Sequence, residues 1–235
     1  MAQWLFPPCN RAFKGTLRLF ADLTVSGAEN LSTAGPLIVA SNHLSNLDPA
    51  IVASALPRNP QFLAKKELFS NPLFAMLLQG YGVHPVDRQR ADLKAVNWAA
   101  RKLRSGAVII LFPEGTRSRG EGLLRARLGV AHLAALTGAP VVPAALTGSE
   151  PLQNVLKAFR PAATMTLTFG RPFVVDASVR KADRRQLEEI STEIMVRIAR
   201  MLPEEYRGHY RDVAGAPASL TVDAGGPATV TAAAS

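Results

Sequence analysis

Pro36-Leu37-Ile38-Val39-Ala40-Ser41-Asn42-His43-Leu44-Ser45-Asn46-Leu47-Asp48-Pro49 changes character twice within a few residues. The apolar run before Asn42 reads as a short buried strand. Asp48-Pro49, followed by Ala50-Ile51-Val52-Ala53, reads as a helix start. Strand, turn and helix in succession are the building unit of an α/β layer fold. His43 leaves the C-terminal end of the strand and Asp48 stands at the N-cap of the helix, so the turn between them folds the carboxylate back onto the imidazole. A carboxylate on one ring nitrogen fixes the tautomer and leaves the other nitrogen free to take a proton. No Gly-x-Ser-x-Gly nucleophile accompanies the pair. The base is therefore expected to activate a hydroxyl that belongs to a substrate.

Outward from this stretch the chain keeps alternating. Strands are expected near 24–28, 37–41, 61–64, 83–86, 107–112, 140–145 and 164–169. Leu93, Val96, Ala100 and Leu103 form a helical stripe that ends at Gly106. Leu187, Ile190, Ile194, Ile198 and Met201 form another, opened by a capping-box pair, Asp183 and Gln186, and closed by Pro203. With 235 residues the chain can bury one large core. The expectation is a single α/β domain over 24–210, with a mixed, mostly parallel central sheet flanked by helices. Phe13, Leu17 and Phe20 mark an amphipathic helix within 1–23, with Arg11, Lys14 and Arg18 off the stripe. Such a helix either lies on a membrane surface or packs on the domain. From 211 to 235 the composition turns to Ala, Gly, Pro, Thr and Val, and this tail is expected to be disordered.

Lys and Arg total 27 against 18 Asp and Glu, a net charge of +9, which favours anionic partners. Nucleic acid is not expected among them, because no helix-turn-helix, zinc-finger or RNP signature is present and aromatic content is 6%. The single cysteine, Cys9, permits no internal disulfide and fits a reducing compartment. No segment approaches the ~20 apolar residues of a spanning helix, and Trp4-Leu5-Phe6 is interrupted by Pro7-Pro8 before any signal-peptide core develops. A protein of this kind that acts on lipid is expected to sit on the cytoplasmic side of the cell membrane, peripheral or monotopic. None of His84, His132 and His209 has a partner at metal-ligand spacing, so no catalytic metal is expected.

Phe112-Pro113-Glu114-Gly115-Thr116-Arg117-Ser118-Arg119 follows a second buried strand, Ala107–Leu111. Pro113 and Gly115 force a turn with exposed backbone N–H groups, and Arg117 and Arg119 bring guanidinium forks suited to phosphate. Gly82-Val83-His84-Pro85-Val86-Asp87-Arg88 brings a further arginine, and Val141-Val142-Pro143-Ala144 ends a fourth strand. In order and approximate spacing, these stretches together with Asn42–Asp48 resemble the four motifs of the glycerolipid acyltransferase family, most closely the bacterial 1-acylglycerol-3-phosphate acyltransferases. The resemblance runs over roughly residues 24–210. It implies a glycerol-3-phosphate acyltransferase-like fold, His43 as general base, Asp48 as its orienting carboxylate, and Glu114, Gly115, Thr116 and Arg117 at the acceptor site. Arg88 becomes a second phosphate contact.

The reaction implied is transfer of a fatty acyl group from acyl-coenzyme A or acyl carrier protein to the hydroxyl of lysophosphatidic acid, on an anionic membrane and with no permanently bound cofactor. Glycerol-3-phosphate or another lysophospholipid are alternative acceptors, and a lipid hydrolase or a non-catalytic lipid-binding protein are alternatives of other classes. In one respect the chain departs from its resemblance: where similar proteins often carry a lysine ahead of a glycine after the third motif, Arg125 and Arg127 precede Gly129.

Overall fold

A computed structural model describes residues 3–87, 92–118, 120–152, 163–215 and 219–224. Its centre is β2, Leu37–Ser41, in which every residue is buried. A strand covered on both faces has no need of alternation, which is why Leu37-Ile38-Val39-Ala40 is continuously apolar. β2 lies between β5, Val108–Leu111, and β6, Val141–Thr147, parallel to both. β3, Pro60–Lys65, and β4, Val83–Val86, continue the parallel array beyond β5. On the other side β7, Ala163–Phe169, runs antiparallel to β6 and parallel to β1, Ala21–Ser26. The order is β1-β7-β6-β2-β5-β3-β4, with two short strands off that path, β8 (Phe173–Val175) paired to β6 and β9 (Thr221–Asp223) paired to β8. The sheet is mixed and mostly parallel, as the sequence implies.

Helices cover both faces. α4, Leu93–Arg104, α5, Gly129–Thr137, and α6, Arg184–Ala199, enclose a core with Ile38, Ala40, Ile109 and Val141. On the opposite face α1, Phe6–Phe20, and α2, Asp48–Ala55, pack on Leu37, Val39, Val108 and Val142. The capping box at α6 forms as expected: Asp183 Oδ1 accepts from the Gln186 N–H at 2.8 Å, and Gln186 Oε1 accepts from the Asp183 N–H at 2.9 Å.

Three elements depart from expectation. α1 begins at Phe6, and Pro7 and Pro8 lie in its first turn. They do not interrupt it there, because the first turn has no use for their missing N–H groups. Its apolar stripe packs on the domain, one of the two arrangements open from the sequence, with Leu17 buried and Phe13 half-buried against the core. α3, Pro72–Tyr81, lies in a stretch without a charged residue, where no polar face marks a helical period. Asn71 caps its start by accepting from the Phe74 N–H at 3.1 Å, and Gly82 at φ 100° ends it.

The third departure is in the tail, expected to be disordered. Residues 211–215 and 219–224 are placed on the domain, and β9 pairs with β8. The cause is a buried carboxylate on α6. Glu193 Oε1 accepts from the N–H groups of Ser219 at 2.7 Å and Leu220 at 2.9 Å. Burial pushes this carboxyl up, but the hydrogen bonds from the tail outweigh burial and hold it below its ordinary value. Arg200 Nε donates to Ala214 O at 2.6 Å and Arg197 pairs with Asp223 at 2.5 Å. Ending the chain after Val213 strips Glu193 of these donors at a cost of about 1–3 kcal/mol. Thermal denaturation of that truncation is expected to show Tm lowered by several degrees. An unchanged Tm would mean that the tail adds nothing to α6.

Candidate active site

Parallel strands deliver their C-terminal ends to one edge of a sheet, and ligand-binding loops gather there. β2 ends in Asn42-His43 and β5 ends in Phe112-Pro113-Glu114, so the two motifs meet across adjacent strands. His43 Nδ1 lies 2.8 Å from Asp48 Oδ2. Asp48 is the first residue of α2 and is completely buried. Its Oδ2 also accepts from the N–H groups of Leu44 at 2.6 Å and Ser45 at 2.7 Å, and its Oδ1 accepts from Ser149 Oγ at 2.6 Å. An ionised carboxylate only accepts, so this contact holds the imidazole hydrogen on Nδ1 and leaves the Nε2 lone pair open to take a proton.

The His43 backbone is clamped as firmly as its ring. Its N–H donates to Glu114 Oε1 at 3.0 Å and its carbonyl accepts from the Ser118 N–H at 2.9 Å. The ring itself stacks on Phe112, with centroids 4.2 Å apart. Glu114 was expected to meet the acceptor. It is 2% exposed and turned inward, and its second oxygen accepts from the Leu124 N–H at 2.8 Å. It therefore braces the loop. Gly115, at φ 69°, donates its N–H to Phe112 O at 2.9 Å, so that donor is engaged within the turn. Thr116 lies exposed at the loop tip, Arg117 is half-buried beside it, and Arg88 and Arg119 lie outside the described residues.

Several contributors are not evident from the motif residues alone. Asn42 exchanges two hydrogen bonds with Leu146 on β6, Nδ2 to O at 2.8 Å and N to Oδ1 at 2.7 Å. Ser149 follows Gly148, whose φ of 77° and closeness to Thr164 O leave no room for a Cβ. Arg127, one of the two basic residues at the departure from the family pattern, lies over Gly115: a Cβ there would sit 2.7 Å from Arg127 Cδ. Both residues line a largely apolar cavity of about 480 Å³ between β5, α4 and α5, together with Phe112, Pro113, Val96 and His132. Phe112 is thus shared by the imidazole and the cavity. Among the described residues no cluster of three or more His, Cys, Asp or Glu could hold a metal ion.

A family model described as Acyltransferase matches residues 22–147, more than half of the chain and a span that includes His43, Asp48 and Glu114. The chain belongs to the acyltransferase family. A 1-acyl-sn-glycerol-3-phosphate acyltransferase of Bacillus subtilis is 29% identical over 165 residues, which cover 70% of this chain and 80% of that one. One from Cocos nucifera is 32% identical over 159 residues, covering 66% of this chain and 50% of that one. The crystal structure of the 1-acyl-sn-glycerophosphate acyltransferase PlsC from Thermotoga maritima superposes with a TM-score of 0.63 at 26% identity, over 80% of this chain and 76% of the other. As a family member, the chain uses an acyl donor as a substrate.

Burial lifts the Glu114 carboxyl from its usual range to about 7, against the hydrogen bonds from Leu124 and His43, which pull it down. A folded-state value above the unfolded one of 4.5 means that this residue's contribution to stability is complete below pH 4.5 and is lost as pH rises through about 7. Tm is therefore expected to fall more steeply over that window in the wild type than in Glu114→Gln. Parallel profiles would assign the titration to another group.

Proposed function

We propose that the chain transfers a fatty acyl group from an acyl thioester, acyl-coenzyme A or acyl carrier protein, to the free hydroxyl of lysophosphatidic acid, forming phosphatidic acid. The observation that carries this reading is the 2.8 Å contact between His43 Nδ1 and the buried Asp48, made beside an apolar cavity. Relatives that bear the 1-acyl-sn-glycerol-3-phosphate acyltransferase name support the acceptor.

In the proposed step the hydroxyl proton passes to His43 Nε2 as the oxygen attacks the thioester carbonyl. The C–O bond forms and the C–S bond breaks. The thiol leaves with the proton returned by the imidazolium, and no covalent enzyme intermediate is needed. Asp48 steadies the positive charge that the ring carries in between. Ser149 acts through Asp48 as a positioning residue, and Glu114 and Ser118 fix the height of the imidazole through its own peptide. The apolar cavity accommodates an acyl chain. Arg117, with Arg88, takes the acceptor phosphate, so that binding energy spent on the phosphate holds the hydroxyl at the base. The substrate is an amphiphile, and the basic chain is proposed to meet it at an anionic membrane surface, from the cytoplasmic side.

His43→Ala is expected to lower transfer by ~10²- to 10⁴-fold, with the fold retained. Asp48→Asn is expected to be comparably severe. Ser149→Ala is expected to be milder and to shift the pH profile of kcat/KM, because one constraint on Asp48 is removed while three remain. Near-normal turnover by a folded His43→Ala protein would end the base assignment.

The acceptor is tested with labelled acyl thioester against lysophosphatidic acid, glycerol-3-phosphate and a neutral monoacylglycerol. Arg117→Lys keeps the charge but loses the bidentate fork, so KM for lysophosphatidic acid is expected to rise, and to rise further in Arg117→Ala. The neutral acceptor is expected to respond far less. Equal losses on both would make Arg117 a support of the loop. Free fatty acid released without an acceptor would identify a hydrolase instead.

A further inference from the structure

Leu68, Leu73, Phe74 and Met76 are exposed to 46%, 64%, 46% and 52%, and all lie within one turn and the helix that follows it. From Leu68 to Val86 the sequence holds no Lys, Arg, Asp or Glu. A surface helix normally turns a charged or polar face to water, and α3 does not. Its length of ten residues is too short to cross a bilayer. Trp4, 58% exposed, continues the apolar surface at the far end of α3, where its indole lies against Gly80.

The surroundings of this face are basic. Lys65 and Lys66 stand exposed at the start of the turn that carries Leu68. α1 packs in the same layer through the Phe6 to Tyr81 ring contact, and it bears Arg11, Lys14 and Arg18. No acid occurs before Asp22. Acidic groups at the margin are Glu67, exposed beside Lys66, Asp87, which pairs with Lys66 at 2.6 Å, and Asp92, which acts on Lys66 from beside Asp87.

We infer that the face formed by Leu68, Leu73, Phe74 and Met76, with Trp4 at its end, is the surface that docks on an anionic lipid bilayer. The inference rests on the reading of a membrane-borne acceptor and replaces the α1 stripe as the contact, since Leu17 and Phe13 of that stripe pack inward. Apolar side chains enter the boundary between headgroups and acyl chains while the flanking cations meet the headgroups. Topology gives the placement a purpose. β3 runs parallel to β5, and β5 to β2, so the chain leaves β3 at the sheet edge where His43 and Glu114 stand. The Lys66–Phe69 turn and the first turn of α3 therefore bring the bilayer to the rim of the site. An acceptor would move from the lipid to the base without crossing water.

The test is sedimentation of the full chain with vesicles of phosphatidylcholine, with and without phosphatidylglycerol. Wild type is expected to bind the anionic vesicles, and salt to weaken the binding. Leu73→Glu/Phe74→Glu is expected to lower that binding by about tenfold or more. Val213→Glu/Val222→Glu, an equal change of charge at positions 40% and 53% exposed near the end of the chain, is expected to leave it unaltered. Because the substituted side chains face solvent, Tm should be retained. Transfer to a short-chain lysophosphatidic acid in monomeric solution should persist, while transfer to vesicle-borne acceptor falls.

Unchanged binding by the double variant overturns the inference. So does a wild-type dimer that the double variant converts to monomer with no change in vesicle binding, because a second copy of the chain then covers the face. A wild type that binds vesicles through this face but acylates no lysophosphatidic acid would leave the docking surface standing and overturn the acceptor reading instead.

Discussion

A carboxylate sealed from solvent has to be satisfied by its neighbours, and at Asp48 those neighbours are the parts of the site itself. Two of its donors are backbone N–H groups of the loop that leaves β2, one is the imidazole, and one is the hydroxyl of Ser149 beyond β6. Charge-assisted hydrogen bonds of this kind are stronger than neutral ones, and leaving a buried charge unpaired is costly. The turn from Asn42 to Leu47 is therefore shaped around the carboxylate. The position of α2, the rotamer of His43 and the approach of the Gly148 turn all follow from the same requirement.

A second buried carboxylate repeats the logic one strand away. Glu114 joins the His43 N–H to the Leu124 N–H, so β2, β5 and the loop beyond β5 share one side chain. The pair divides the work. Asp48 sets the orientation of the ring, and Glu114 sets where its backbone lies. Phe112 closes the arrangement by stacking on one face of the imidazole while it lines the apolar cavity. The polar imidazole is thus held next to a surface suited to hydrocarbon, without the two having to share a partner.

Much of this was legible in the sequence because it is local. The run Leu37–Ala40 announces a strand buried on both faces, the interval from His43 to Asp48 announces the bend, and Asp183 with Gln186 announces the cap of α6. What escaped depends on partners distant in the chain. Ser149 is one more serine after a strand until β6 is known to lie beside β2, and Glu114 looks like a substrate ligand until Leu124 is seen behind it. α3 offered no amphipathic period because it has no polar face to alternate with. β8 and β9 are too short for alternation to register, and their pairing depends on a carboxylate on α6. Local pattern reveals elements, but the choice between ligand and brace is made by what stands behind a side chain.

The clamp on the His43 peptide has a consequence for turnover. Its N–H is held by Glu114 and its carbonyl by the Ser118 N–H, so both ends of the loop after β5 are tied to the residue that bears the imidazole. Such a loop cannot swing open as a lid without carrying the imidazole out of register with Asp48. Substrates must come and go past a rim that stays fixed, as ships use a harbour mouth with no gate. On the proposed reading, the time each amphiphile lingers at the entrance then enters the rate of turnover, and the lipid composition outside enters with it.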